Sequence, residues 1–214
     1  MLQSTQAVER AAAELIGTSF ADRCEAVARA ALLGARGNSG MILSQMIRGA
    51  ADALGDAGRI DASAVTAALR GATDTAYRAV REPVEGTMLT VIRGLAEGAE
   101  GSAATDVDGV LAAALATGRT TLAATQEMLP QLKAAGVVDS GAYGVLLLTE
   151  GIASALAGHT IASVAATVAA PTFVPDDHEP SAFRFCTTFI IDGAARELAE
   201  LEERQKLAAD KLAE

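Results

Sequence analysis

The sequence predicts an all-α protein, and three observations carry that prediction. Apolar residues recur at helical spacing, with few strand-like alternations before residue 160. Half of the 214 residues are hydrophobic, yet only 3% are aromatic and there is no Trp. A core built from Ala, Leu, Val and Ile favours helices, because Ala has the best helix propensity and small side chains let helices approach closely. The apolar runs are separated by short small-residue turns, so the pattern helix, turn, helix repeats along the chain.

The elements follow in order. Residues 2–16 read as a helix, with Val8, Ala12 and Leu15 on one side. Ser19 and Asp22 have the spacing of a capping box for a second helix, whose stripe is Phe20, Cys24, Val27, Ala28, Ala31 and Leu32. Gly34 is expected to end it in a left-handed conformation. A third helix carries Ile42, Met46, Gly49 and Ala50, and a loop follows from Gly55 to Ile60. Asp61 or Ser63 caps a fourth helix with Val65, Leu69, Ala72, Ala76 and Val80. Pro83 restricts the residue before it, which ends that helix near Arg81-Glu82. Thr87 caps the run from Met88 to Ala99. Asp106 or Asp108 starts a longer helix through Leu111, Leu115, Leu122 and Met128. Pro130 suits the first turn of a short continuation, and Gly136 ends it. Asp139-Ser140-Gly141 precedes a buried helix through Val145-Leu146-Leu147-Leu148 that closes near Gly158.

The character then changes. Residues 159–181 contain Pro171, Pro175, Pro180 and an acidic patch, Asp176 to Glu179, and read as a linker. Residues 182–214 read as a strand-like run, Phe183 to Ile191, followed by a charged helix in which Glu202 and Lys206 form an i,i+4 pair. His159 and His178 are isolated and assigned to the surface or linker.

The net charge of −10 argues against a nucleic-acid surface, which needs clustered Lys and Arg. Cys24 and Cys186 are the two cysteines, and neither stands at redox or metal-ligand spacing from the other. A reduced, cytoplasmic setting fits that usage. The least polar stretch, Ile161 to Ala170, is far too short to span a bilayer.

The centre of the sequence is Gly34-Ala35-Arg36-Gly37-Asn38-Ser39-Gly40. Its glycines permit positive φ or close approach of a ligand. Asn38 and Ser39 are strong N-cap types, and a helix N-terminus offers free N–H groups to a phosphate. Spacing alone favours a tight, well-capped turn between helices, because glycine-rich turns are common.

The run GARGNSGMILSQMIRG, from Gly34 to Gly49, resembles the nucleotide-binding, DhaL-type domain of the dihydroxyacetone kinase family. It is most similar to the branch of the bacterial fatty acid kinase A subunits. Ala79 to Thr90 (AVREPVEGTMLT) and Ala135 to Gly144 (AGVVDSGAYG) agree in the same order. The resemblance covers residues 1–158 and implies an antiparallel helical barrel with nucleotide held by loops at one end. It implies that Gly37, Asn38, Ser39 and Gly40 contact the phosphates of ATP. Glu85, Gly86, Thr87 and Met88 match a loop near the adenine and ribose. Asp139, Ser140 and Gly141 match a loop that closes over the nucleotide, with an N-cap as the other reading of Asp139.

The family's magnesium is held by an acidic loop of the form DGDTGTNM, ahead of the first helix. No comparable Asp cluster stands in residues 1–30, where Asp22 is alone. The reading is therefore that the usual aspartate ligands are missing, through a late start, a gene fragment or a nucleotide-binding relic. The resemblance further implies an ATP-dependent kinase whose acceptor, a small hydroxyl or carboxyl compound, is presented by a separate dihydroxyacetone- or fatty-acid-binding subunit. No catalytic nucleophile is expected in the chain itself, and a homodimer is compatible with this reading. The rival expectation is a non-catalytic helical interaction module.

Overall fold

Caps set most helix boundaries in the computed structural model, which describes residues 1–14 and 17–159. Among these residues there are eight helices and no strand: α1 (Leu2–Glu14), α2 (Phe20–Leu33), α3 (Gly37–Ala57), α4 (Ala62–Ala79), α5 (Met88–Glu100), α6 (Val107–Met128), α7 (Pro130–Ala135) and α8 (Ser140–Leu156). The all-α expectation holds. Leu15 and Ile16 lie outside the described residues, as do the expected linker beyond His159, the strand-like run with Cys186, and the charged tail.

Five side chains cap the helices that follow them. Ser19 accepts from the Asp22 amide, Asp61 from Ala64, Thr87 from Leu89, Asp106 from Gly109 and Asp139 from Ala142. Each satisfies an orphan donor of the first turn, which stabilises a helix by about 1 kcal/mol. Where two residues competed in the sequence, Asp61 and Asp106 are the caps, and Ser63 instead donates to Asp61 Oδ1 at 2.8 Å. Gly136 ends α7, as expected, and it does so in the left-handed conformation.

Four local expectations need correction. Gly34 is not left-handed: it sits at φ −81°, ψ −8°. Its missing side chain serves packing, because a Cβ there would fall 2.7 Å from Ala7 Cβ and 2.8 Å from the Gln3 carbonyl oxygen on α1. Neither Asn38 nor Ser39 caps α3. The helix begins at Gly37, whose φ of +65° turns the chain directly into it, and Arg36 occupies the N-cap without a side-chain hydrogen bond. Gly55 belongs to α3, which runs on to Ala57 before Gly58 ends it. Leu32 and Met128, assigned to apolar stripes, are exposed; each lies in the last turn of its helix.

The pairs α3/α4, α4/α5, α5/α6 and α6/α8 run antiparallel, and residue pairs fix the register. Gly49 meets Gly71 and Thr75 across α3 and α4. Thr73 Oγ1 reaches the Ile92 carbonyl and Arg70 pairs with Glu100 across α4 and α5. Gly94 meets Thr121, and Gly98 meets Thr117, across α5 and α6. The Asp139 amide meets Thr125 Oγ1, and Arg119 pairs with Glu150, across α6 and α8. This alternation brings the N-termini of α3, α5 and α8 to one end. The core between the helices includes Leu43, Met46, Val91, Leu95, Leu111 and Leu146, with Leu95 and Val91 fully buried. Each such side chain contributes about 1.5–3 kcal/mol by leaving water. No described helix is long and apolar enough to cross a membrane.

Candidate functional site

The first loop turns at Gly34 to Arg36 and enters α3. Gly37 is exposed, and nothing lies within 4 Å of the position its Cβ would take. Asn38 and Ser39 are exposed on the first helical turn, whereas Gly40 is buried against Ala35. Of the three loop-end helices, α5 and α8 are capped by their own side chains and α3 is not. Its first amides, together with the Asn38 and Ser39 side chains, form an open donor set with the partial positive charge of a helix start. Arg36 is turned away from them, since its Nη1 donates to the Leu33 and Ala35 carbonyls at 3.0 and 2.6 Å.

The second loop, residues 80–87, is held by Glu85. Its carboxylate accepts from Arg93 Nη1 at 2.6 Å and Nη2 at 2.7 Å, from the Thr90 hydroxyl at 2.7 Å and from the Tyr77 hydroxyl at 3.2 Å. The Arg93 hydrogen bonds hold the Glu85 carboxyl below its ordinary value, helped by Thr90 and Tyr77. Burial pushes the Tyr77 hydroxyl up to about 12, against the opposing charge of Arg93. Gly86 is buried at φ +85°, and its amide donates to Thr90 Oγ1 at 2.8 Å. Thr87 is partly exposed; its hydroxyl donates to the Val84 carbonyl while capping α5. Met88 points into the core and is 3% exposed.

In the third segment, Asp139 is the N-cap of α8: its Oδ2 accepts from the Ala142 amide at 2.7 Å. Ser140 and Gly141 form the first turn of that helix rather than a free loop. The second and third segments meet, because a Cβ on Gly141 would lie 3.6 Å from Met88 Cβ and Sδ. Gly86 packs in turn on Met128 and Leu129, at the junction of α6 and α7. The first loop rests instead on Gln3, Ser4 and Ala7 of α1, at the same end of the bundle.

Sequence reasoning missed Tyr77, Thr90 and Arg93. A signal was present: Tyr77 lies eight residues before Glu85 and Arg93 eight residues after it. In an antiparallel helix pair, residues equidistant from the turn face each other, and Thr90 and Arg93 share one face of α5. Among the described residues, no group of three or more His, Cys, Asp or Glu side chains is able to hold a metal ion.

The fold and site define a class: an all-α bundle that gathers helix N-termini and their loops at one end, where α3 starts exposed and without a side-chain cap. The chain belongs to the DAK2 domain family, whose model matches residues 1–154. It is similar to Protein YloV of Bacillus subtilis, at 38% identity over 197 residues, covering 86% of this chain and 36% of YloV. It is also 33% identical over 201 residues to an uncharacterized protein of Staphylococcus saprophyticus, covering 89% of this chain and 36% of that protein. The chain thus spans little more than a third of the length of either relative.

Proposed function

We propose that this chain is the ATP-binding domain of a kinase that transfers the γ-phosphoryl group to a small hydroxyl or carboxyl acceptor. The acceptor is presented by a separate protein, in the manner of glycerone or fatty acid kinases. The observation that carries the reading is the uncapped, exposed start of α3 in a DAK2 domain, at the end where α5 and α8 also begin. Phosphate binding needs convergent N–H and hydroxyl donors, and this turn supplies them.

Gly37, Asn38, Ser39 and Gly40 hold the phosphates through backbone amides and the two polar side chains. Gly86 and Thr87 flank the nucleoside, while Met88 supports them from the core. Asp139 orders the start of α8, so that Ser140 and Gly141 border the nucleotide. ATP, when bound, supplies the electrophilic phosphorus. The chain orients it and leaves the acceptor to its partner. Magnesium ordinarily neutralises phosphate charge in such transfers. The described residues offer it no acidic cluster.

Calorimetric titration of ATP, with and without magnesium, tests the reading on this chain and on an Asn38→Ala/Ser39→Ala variant. Binding by the unaltered chain, weakened about tenfold in the variant, is expected from the loss of one or two phosphate hydrogen bonds. If the unaltered chain does not bind under either condition, the nucleotide reading fails and a non-catalytic interaction module becomes the account.

A further inference from the structure

We propose that Glu85, Tyr77, Thr90 and Arg93 are a positioning device for the second loop, in which Glu85 holds Gly86 and Thr87 in place and does not itself touch the nucleotide. The inference rests on the nucleotide reading above and refines it.

A carboxylate has about four acceptor positions. All four of Glu85 are occupied by the protein. Oε1 takes Arg93 Nη1 and the Tyr77 hydroxyl; Oε2 takes Arg93 Nη2 and the Thr90 hydroxyl. No position is left for a ribose hydroxyl. The Arg93 contact is bidentate, which adds geometric specificity to charge.

The network also has a direction. Thr90 is 2% exposed; its single proton goes to Glu85 and its oxygen receives the Gly86 amide. Arg93 therefore fixes Glu85, Glu85 orients the Thr90 hydroxyl, and Thr90 fixes the Gly86 backbone. On the other side, Gly86 is pressed against Met128 and Leu129. Tyr77 stands on α4, and Thr90 and Arg93 on α5, so the loop is tied to both helices that flank it. Arg93 Nη1 further donates to the Tyr77 hydroxyl at 2.9 Å, which closes the ring of contacts. An exposed ion pair stabilises a fold little. A pair shared among four groups around a backbone amide is better suited to setting geometry.

The test uses the whole chain and the variants Glu85→Gln, Arg93→Ala and Tyr77→Phe. Affinities for ATP and 2′,3′-dideoxy-ATP are measured by calorimetry, and the exchange rate of the Gly86 amide by NMR. Arg93→Ala and Glu85→Gln are expected to weaken both nucleotides by the same factor, about fivefold or more for a lost charge-assisted contact. Gly86 exchange is expected to rise in both variants. Tyr77→Phe removes one hydroxyl, preserves the ring, and gives a smaller loss of the same kind. A loss confined to ATP in Glu85→Gln would mean that Glu85 contacts the ribose, and would overturn the inference. Unchanged affinity in a folded Arg93→Ala would overturn it too, with the nucleotide reading intact. Absence of binding by the unaltered chain would overturn both.

Discussion

Gly141 faces Met88 where the starts of α5 and α8 come together. A Cβ added to Gly141 would sit 3.6 Å from both Met88 Cβ and Sδ, and 3.1 Å from Asp139 Oδ2. The pair joins two segments that lie far apart in sequence. It places a core side chain, rather than a surface one, beneath the loop end. Met88→Ala is therefore expected to destabilise the fold by about 2–4 kcal/mol, as a buried Met truncation does, while Met88→Leu costs under about 1.5 kcal/mol. Urea unfolding of the two variants measures the difference.

The crossing of α3 and α4 depends on glycine. A Cβ on Gly49 would lie 2.0 Å from the Gly71 carbonyl oxygen, a backbone atom that cannot step aside. Gly151, within α8, has nothing within 4 Å of its Cβ position. Replacing a helical Gly by Ala gains up to about 1 kcal/mol when space allows. Gly151→Ala should raise the thermal midpoint. Gly49→Ala should lower it, because overpacking typically costs about 1–3 kcal/mol or more.

Gly86 is constrained twice. Its φ is +85°, and a Cβ would meet Met128 Cβ at 2.8 Å and Leu129 Cγ at 3.0 Å. Gly86→Ala should lose about 2 kcal/mol or more, since the left-handed conformation alone costs an L-residue about 1–2 kcal/mol. Nucleotide affinity should fall with it. A variant of wild-type stability would show that the loop re-forms without this conformation.

The Glu85 site gives stability a pH dependence of predictable sign. The Glu85 carboxyl is held below its ordinary value by Arg93, so its contribution is complete above the unfolded-state pKa and is lost as pH falls through the folded value. Tyr77 is shifted the other way, to about 12, so the folded state favours its neutral form. That contribution is complete below the unfolded-state value and disappears as pH rises through about 12. Ultraviolet titration of a Tyr143→Phe variant, which leaves Tyr77 as the only tyrosine of the chain, is expected to show a midpoint near 12. In Arg93→Ala, the acid-side loss of urea stability is expected to shift toward ordinary carboxylate pH.

The sequence by itself determined the helical class, most boundaries and the family. Those features are local. Ser19, Asp61, Thr87, Asp106 and Asp139 each bond an amide two or three residues ahead, and Gly136 turns the chain where it stands. The motifs that carry the family resemblance are likewise short and ordered. Tertiary structure decided what each of those residues faces. It made Gly34 a packing glycine against α1 and Gly37 the turning one, and it moved the start of α3 ahead of Asn38. It committed Glu85 to Arg93, Tyr77 and Thr90, and it set Met88 beneath Gly141. A helix cap needs only the next turn of the same chain. A glycine contact or a four-group carboxylate network needs a neighbouring helix at one antiparallel register, and that register is set by how the whole apolar core packs.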